Sequence, residues 1–465
     1  YRSVFSQFPY FNIVQSRVLD EVHLLNDEDR GATVEAVISR MKTVQTNITR
    51  NTNKLQFKAS MRLIAISATI PNVEDIAAWL GSLKHPASSY SMDDSYRPVK
   101  LRKVVLGFPM HANMSEFKFD LSLNYKISGI VHTYSDQKPT LVFDTSATAV
   151  ILTTTTKKDK YSSLLHGTQQ IESSLHRHLI EHLNAEIVLH TITDVSVALE
   201  WLKSTFLFIR IQKNPTYYDM CIQNLNTLER SNLVKMEDGF DLKPSEPGCL
   251  MARYYIAFDS IKEFLAIQGT ETLSDMVILL SKCKEFADVK LRVSEKRILN
   301  TLNKDKHKAT VRFPVNGKIK TTDQKINCLI QATLGCLPIT EFSLNQDVTK
   351  IFRSGQRVTR CLMELLMLRG DYRALQNAIL VTKCMKSRLW ENSLYVSRQL
   401  EKVGMTLSTM LVNAGLTTFK KIEETNPREI ELIVNRHPPF GSQIRDAVLA
   451  FPKYEVSVEQ VIVNV

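Results

Sequence analysis

Asp20 and Glu21, within the stretch Val18 to Gly31 (VLDEVHLLNDEDRG), are the residues around which chemistry could be organised. Two apolar residues lead into the acidic pair, and Val22, His23 and a helix-like run follow, which places the carboxylates at the carboxyl end of a buried strand. Open α/β sheets bind their ligands at that end. Adjacent carboxylates there suit a Mg²⁺ ion that keeps several waters and bridges to phosphate oxygens, while the second carboxylate orients an attacking water. The bland alternative is a solvated strand end, since a tetrapeptide means little without its structural context.

That context comes further along. Arg62 to Ile66 (RLIAI) reads as an apolar strand, followed at once by Ser67, Ala68 and Thr69 and then by IPNVEDIAAWLG, apolar at helical spacing, with Pro71 near the helix start and Gly81 at its end. DEVH followed by SAT on the next strand, in the wording DEVHLLNDEDRGATVEAVISRM, SATIPNVEDIAAWLG and SYRPVKL, resembles motifs II and III of the superfamily 2 DExH-box helicases. Within them it is most similar to the branch of the meiotic crossover helicases and the spliceosomal and archaeal repair unwinding enzymes, and in that branch to the meiotic crossover type. The resemblance implies an ATP-dependent DNA helicase of 3′ to 5′ polarity acting on recombination intermediates in the nucleus, with ATP and Mg²⁺ as cofactors. It also implies the site: Asp20 and Glu21 at the metal, His23, Ser67 and Thr69 in catalysis, and Gln15, in the aromatic segment before the strand, on the adenine.

The chain departs from that family in two places. Relatives carry a strand and a phosphate-binding Gly-Lys loop between the glutamine segment and DEVH, whereas here Arg17 is followed directly by Val18, and no G-x-x-x-x-G-K-[ST] occurs anywhere. Lys138 to Phe143 resembles the first strand of the second RecA-like domain, yet Asp144 to Leu152 resembles its last, and no Q-x-x-G-R-x-G-R is present. Parallel neighbours require a crossover of a dozen or more residues. A tight β-hairpin through Asp144, Thr145 and Ser146 is the local alternative. The expected consequence is a chain that does not hydrolyse ATP. Its first 156 residues should also be looser than residues 157–450, with apolar strand faces uncovered.

Bulk properties fit a nucleic-acid partner. Across 465 residues, 44% of them hydrophobic, 59 Lys and Arg outnumber 48 Asp and Glu for a net charge of +11, with pI near 9.1. Seven scattered cysteines without a C-x-x-C indicate reduced core thiols rather than a zinc site or disulfide framework. No apolar run reaches the ~18 residues of a membrane span, and a signal-peptide pattern is lacking, so no membrane association is expected.

The remaining chain is the accessory half that the resemblance implies. Ile171 to Ile187 carries an i, i+4 stripe (171, 175, 179, 183, 187), WLKSTFLFIR from Trp201 reads as one helix, and the next segment supplies a two-strand wing and a return helix. His178, Glu181 and His182 match the inverted zincin pattern H-x-x-E-H, but without a third ligand at recognisable spacing this reads as a chance match. In the bundle that follows, Lys350, Arg353, Arg357 and Arg360 fall on one helical face, opposite Cys361, Leu362, Leu365 and Leu366. A cationic stripe can be a solvated face. The family threads single-stranded DNA at about this place, where phosphate contacts would supply affinity.

The fold expected is α/β plus α: remnants of two RecA-like parallel-sheet domains, then winged helix, helical bundle and helix-loop-helix. The expected segments are 1–107 for the first RecA-like domain and 108–156 for the second, 157–270 for the winged helix and 271–400 for the bundle. Residues 401–450 make the helix-loop-helix, with two or three short helices and Gly415 and Gly441 as turn or cap glycines, and 451–465 the first strand of an immunoglobulin-like domain. DNA, single-stranded or branched, is the expected partner, with meiotic recombination proteins. The competing class is a non-catalytic DNA- or partner-binding protein built on the accessory half.

Overall fold

The computed structural model describes residues 16–28, 30–51, 62–67, 70–81, 85–92, 96, 102–111, 114, 116–134, 148–165, 170–213, 220–305, 309–452, 454 and 456–457. The chain divides into two compact units, Tyr1–Leu265 and Ala266–Val465.

In the first unit, strand β1 (Ser16–Leu19) pairs in parallel with β2 (Arg62–Ala65), Ser16 opposite Arg62 and Leu19 opposite Ala65. Backbone bonds from Ile66 N–H to the Leu19 carbonyl (2.8 Å) and from Val22 N–H to the Ile66 carbonyl (3.0 Å) carry the pairing beyond the strands. Between them run a 3₁₀ turn at Val22–Asn26 and helix α1 (Gly31–Asn51), and α2 (Val73–Leu80) follows β2. A second parallel pair joins β3 (Arg102–Phe108) to β4 (Thr148–Thr154), with α3 (Glu116–Tyr134) between and α4 (Thr155–Leu165) after. Residues 102–107 therefore pair with the strand of the second segment. The strand expected over 138–143 and the turn at Asp144–Ser146 lie outside the described residues.

The buried stripe forms as expected: Ile171, Leu175, Leu179, Leu183 and Ile187 are all buried. It is not one helix, however. Leu175–Arg177 is a 3₁₀ turn and α5 (Leu179–Val188) starts only at Leu179. The cause is competition for backbone groups. Asn72 holds both the N–H and the carbonyl of Ile171 at 2.9 Å, and Ser173 Oγ accepts the Leu175 N–H at 3.1 Å. The helix expected from Trp201 to Arg210 is likewise two, α6 (Val195–Lys203) and α7 (Phe206–Lys213). Thr205 Oγ1 accepts the Phe208 N–H (3.1 Å) and starts the second, while the Ser204 carbonyl takes the Trp79 indole N–H (3.1 Å). Helix α8 (Met220–Arg230), the antiparallel wing of β5 (Val234–Glu237) and β6 (Asp241–Pro244), α9 (Glu246–Tyr254) and α10 (Phe258–Leu265) complete the unit.

One core ties the motif-bearing strands to the winged helix. Val22, Leu25, Ile38, Ile76 and Trp79 pack with Ile171, Phe206 and Ile209, and the Trp79 and Phe206 rings lie 5.6 Å apart. Burying such side chains contributes about 1.5–3 kcal/mol each. Glu35, fully buried on α1, accepts from Ser173 Oγ (2.7 Å) and the Leu207 N–H (2.6 Å). The expectation of uncovered apolar strand faces thus holds at Val18 (61% exposed) and Ile66 (55% exposed) but not across this core.

The second unit is helical: α11 (Leu273–Ser281), α12 (Lys296–Asn303), α13 (Thr322–Leu334), the long α14 (Phe342–Arg369) and α15 (Tyr372–Ser387). Four short helices follow rather than two or three: α16 (Met405–Asn413), α17 (Phe419–Glu424), α18 (Pro427–Val434) and α19 (Phe440–Leu449). Thr418 and Asn426 cap the extra starts, and Pro427 opens α18 where its missing N–H costs nothing. Gly415 is the turn glycine expected, at φ +83°. Gly441 is instead a helical residue whose added Cβ would sit 2.0 Å from the Pro427 carbonyl oxygen, so it permits close approach of α18 and α19. Tyr454 and Val456 are exposed and outside any strand, contrary to the expected terminal strand; Val458 lies outside the described residues.

Candidate functional site

Parallel pairing of β1 with β2 brings the two motif ends side by side. Asp20, just past β1, is exposed, and its Oδ1 accepts the Glu21 N–H at 2.9 Å. Glu21 takes a left-handed backbone (φ 55°), which for a residue with a Cβ costs about 1–2 kcal/mol and turns its side chain back along the strand end. Its Oε2 lies 3.2 Å from His23 Nδ1, and Ser67 Oγ lies 3.4 Å from the same nitrogen. Glu21, His23 and Ser67 therefore form one polar chain across the tops of the two strands. This link was not legible from spacing, because it needs the register of the pair. Gln15 and Thr69 lie outside the described residues.

The carboxylates are suited to a hard divalent cation, but the residues present do not fit a nucleoside triphosphate. Glu21 is engaged by His23, and among the described residues no group of three or more His, Cys, Asp or Glu side chains could hold a metal. No Gly-Lys loop follows or precedes the strands to cradle β- and γ-phosphates. Phosphoryl transfer depends almost wholly on that positioning and charge neutralisation.

The second candidate lies on α14. Lys350, Arg353 and Arg360 are exposed and, among the described residues, without an ion pair, while Arg357 is half-buried on the same side. Leu362 and Leu366, on the opposite side, are fully buried, as are Leu365 and Cys361, but Cys361 lies one turn after Arg357 and therefore flanks the cationic face rather than opposing it. The azimuth of the helix is fixed from within. Lys325 on α13, fully buried, donates to Glu295 (2.6 Å), Asp347 (2.7 Å) and the Lys290 carbonyl (2.8 Å). Arg292 reaches Asp347 at 3.1 Å, and Lys325 and Arg292 together hold the Glu295 carboxyl below its ordinary value despite burial. Asp347 lies one turn before Lys350, so rotating α14 would leave a buried charge unpaired. Lysine in a sequence reads as solvated, and nothing in its spacing marks Lys325 as buried.

The H-x-x-E-H residues assemble no metal centre. His182 is buried against the core, and burial, then His178 and Arg40, push its imidazole down to about 4. Glu181 Oε1 accepts the Phe258 N–H at 3.1 Å. None of the seven cysteines forms a disulfide among the described residues, and burial pushes the Cys221 thiol up to about 11 and those of Cys328, Cys361 and Cys384 up to about 12, so these four are inert core thiols, while Cys249 and Cys336 are half-buried. Among the described residues no helix is long and apolar enough to cross a membrane.

Two families match the accessory half: a winged helix-turn-helix domain over residues 172–251 and the Sec63 Brl domain over residues 244–464. The chain is 44% identical to "Probable ATP-dependent DNA helicase HFM1" of Xenopus tropicalis, over 96% of this chain and 44% of that protein. To "ATP-dependent DNA helicase homolog MER3" of Arabidopsis thaliana it is 28% identical, over 99% of this chain and 54% of the relative. To the "U5 small nuclear ribonucleoprotein 200 kDa helicase" of Mus musculus it is 23% identical, over 97% and 27%. It thus spans about half or less of the length of these relatives. The Xenopus alignment runs over 592 positions against a chain of 465 residues, so the excess consists of positions of the relative with no counterpart inside this chain. The HFM1 and MER3 DNA helicases are thus close homologues of this chain, and its winged-helix and Sec63 Brl regions point to the same superfamily 2 helicase family.

Proposed function

We propose that this chain comes from an ATP-dependent DNA helicase of 3′ to 5′ polarity that acts on recombination intermediates in meiotic crossover formation in the nucleus. In the form described, it holds single-stranded DNA without hydrolysing ATP. The two parallel pairs are what is left of two RecA-like sheets, β1–β2 from the first and β3–β4 from the second. Asp20 and Glu21 keep the metal-facing position of the family, with His23 and Ser67 coupling the strands; Thr69 and Gln15, outside the described residues, keep the catalytic and adenine-side roles that the family implies. ATP and Mg²⁺ are the family's cofactors. Here the carboxylates remain while the phosphate cradle and the arginine motif do not, so turnover is lost.

The observation that carries the DNA reading is the face of α14: exposed Lys350, Arg353 and Arg360, without ion pairs among the described residues, beside Arg357, on a helix fixed by a buried charge network. Three or four phosphate contacts release as many counterions, giving a slope of log affinity against log salt of roughly −2 to −3 for a single strand. Fluorescence anisotropy of an unstructured oligonucleotide at several salt concentrations tests this. Arg353→Glu with Arg357→Glu should weaken binding to all sequences alike and flatten the slope; unchanged affinity would return the face to plain solvation.

A further inference from the structure

A second cationic surface lies in the same unit, apart from the α14 face, and is built by an unusual use of amide side chains. Residues 309–320 form neither helix nor strand, yet the backbone is pinned along its length. Asn303 Oδ1 accepts the Val315 N–H at 2.7 Å while its Nδ2 donates to the Val315 carbonyl at 2.8 Å. Gln331 makes the same reciprocal pair with Phe313, at 2.7 and 2.9 Å. Asn300 Oδ1 accepts the Ile319 N–H (2.8 Å) and Gln324 Oε1 the Lys320 N–H (2.7 Å). Four amides thus stand in for a neighbouring strand, and an irregular segment ordered this way is commonly a binding element.

The ordering displays charge. Ile319 is buried, so Lys318 and Lys320 on either side of it both face solvent. Because Asn300 and Asn303 hold this segment against α12, the exposed cations Lys296 and Arg297 of that helix and Lys304 just past its end flank it. None of these five has an ion pair among the described residues; of the acidic residues nearby in sequence, Glu295 is buried and paired with Arg292 and Lys325, which leaves Asp305 and Asp323. Arg312 does not join them: it pairs with Glu391 at 2.8 Å and lies 5.2 and 5.1 Å from the Phe313 and Trp390 ring centres. That engagement leaves Phe313, the one aromatic of the segment, half-buried beneath the guanidinium and edge-on to Trp390 rather than open for stacking on a base. Proteins that hold single strands interleave cations with exposed aromatics for the bases. A rigid cationic array without such rings reads phosphates alone, which are all that a stacked duplex offers without a groove-reading element.

We propose that Lys296, Arg297, Lys304, Lys318 and Lys320 form a docking surface for the phosphate backbone of duplex nucleic acid, distinct from the single-strand face of α14. The proposal rests on the nucleic-acid reading above and assigns the double-stranded arm of a branched substrate to this surface. The test compares two charge-matched variants of the full chain, Lys318→Glu with Lys320→Glu and Arg353→Glu with Arg357→Glu, titrated separately against a blunt duplex and an unstructured single strand. Thermal unfolding checks that both fold, and Lys318→Gln with Lys320→Gln provides a milder second pair. The 318/320 reversal should weaken duplex binding by about tenfold and reduce its salt slope by about 2, at ~0.9 per phosphate, while single-strand affinity stays within about twofold. Unchanged duplex affinity, an equal loss on both probes, or no duplex binding by the unsubstituted chain would each overturn the proposal. If instead the 353/357 reversal leaves single-strand binding intact, the α14 reading fails, and the duplex titration still decides this one.

Discussion

The motif-bearing strands and the helical bundle treat charge in opposite ways. At the top of β1 and β2, Asp20 and Glu21 are exposed on a two-stranded sheet that leaves Val18 and Ile66 in solvent. In the bundle, Lys325, Glu295 and Asp347 are buried and mutually paired, and the helix they orient offers its cations outward. On the function proposed above, the difference teaches what would survive in a chain without the relatives' internal segments. A nucleotide site is assembled from loops after several distant strands, so losing any of them disables it. A helical face is written in residues three and four apart and needs only its own helix and something to pack on.

The largest effect expected on this contrast comes from the buried network. Lys325→Ala strands two carboxylates with only Arg292 left to offset them, and should destabilise the second unit by about 3–5 kcal/mol in urea unfolding. A cost under ~1 kcal/mol would mean the network does not fix α14. No comparable loss is expected from Glu21→Ala, whose carboxylate is exposed.

Next comes a pH effect in the first unit. Burial pushes Glu35 up to about 7 against the hydrogen bonds from Ser173 and Leu207. The folded state therefore binds the proton more tightly than the unfolded one. The resulting stabilisation is complete below about pH 4.5 and is lost as pH rises through about 7. A shift of this size corresponds to about 3 kcal/mol, so the stability of the parent minus that of Glu35→Gln should fall by roughly that amount across the window. Taking the difference removes the other buried groups: Glu186, raised by burial in the same direction, and His182, whose lowered value acts oppositely by favouring stability as pH rises above about 4. A flat difference would place Glu35 in contact with water.

Sequence and structure part company along the same line. The DEVH and SAT strand ends, the buried stripe from Ile171 to Ile187, the wing and the α14 face were all legible, because each is a local pattern of period two or 3.6. Illegible were the links between distant segments. Ser173 reaches Glu35 across 138 positions and Asn72 reaches Ile171 across 99, so helix starts expected at 171 and within 201–210 moved to where those side chains captured the backbone. The Lys318–Lys320 surface was missed for a related reason, since the four amides that order it lie on helices before and after it.

Smaller effects sharpen that point. Asn72→Ala removes both hydrogen bonds to Ile171 and should cost about 1–3 kcal/mol, with faster amide exchange at Ile171 while the bundle amides keep their protection. Gly415→Ala, at φ +83°, should lower stability by about 1 kcal/mol in the same assay. An equal or larger loss from Gly441→Ala is expected from its 2.0 Å approach to Pro427 if the two helices cannot part.

The central claim, that the DNA-holding face persists where the nucleotide site does not, is tested most directly by measuring phosphate release from ATP and Mg²⁺ by the chain saturated with single-stranded DNA. Saturation is followed by anisotropy in the same sample. The account predicts a full anisotropy change with phosphate release at the level of the blank, the same for Glu21→Gln as for the parent. DNA-stimulated release that disappears in Glu21→Gln would contradict it.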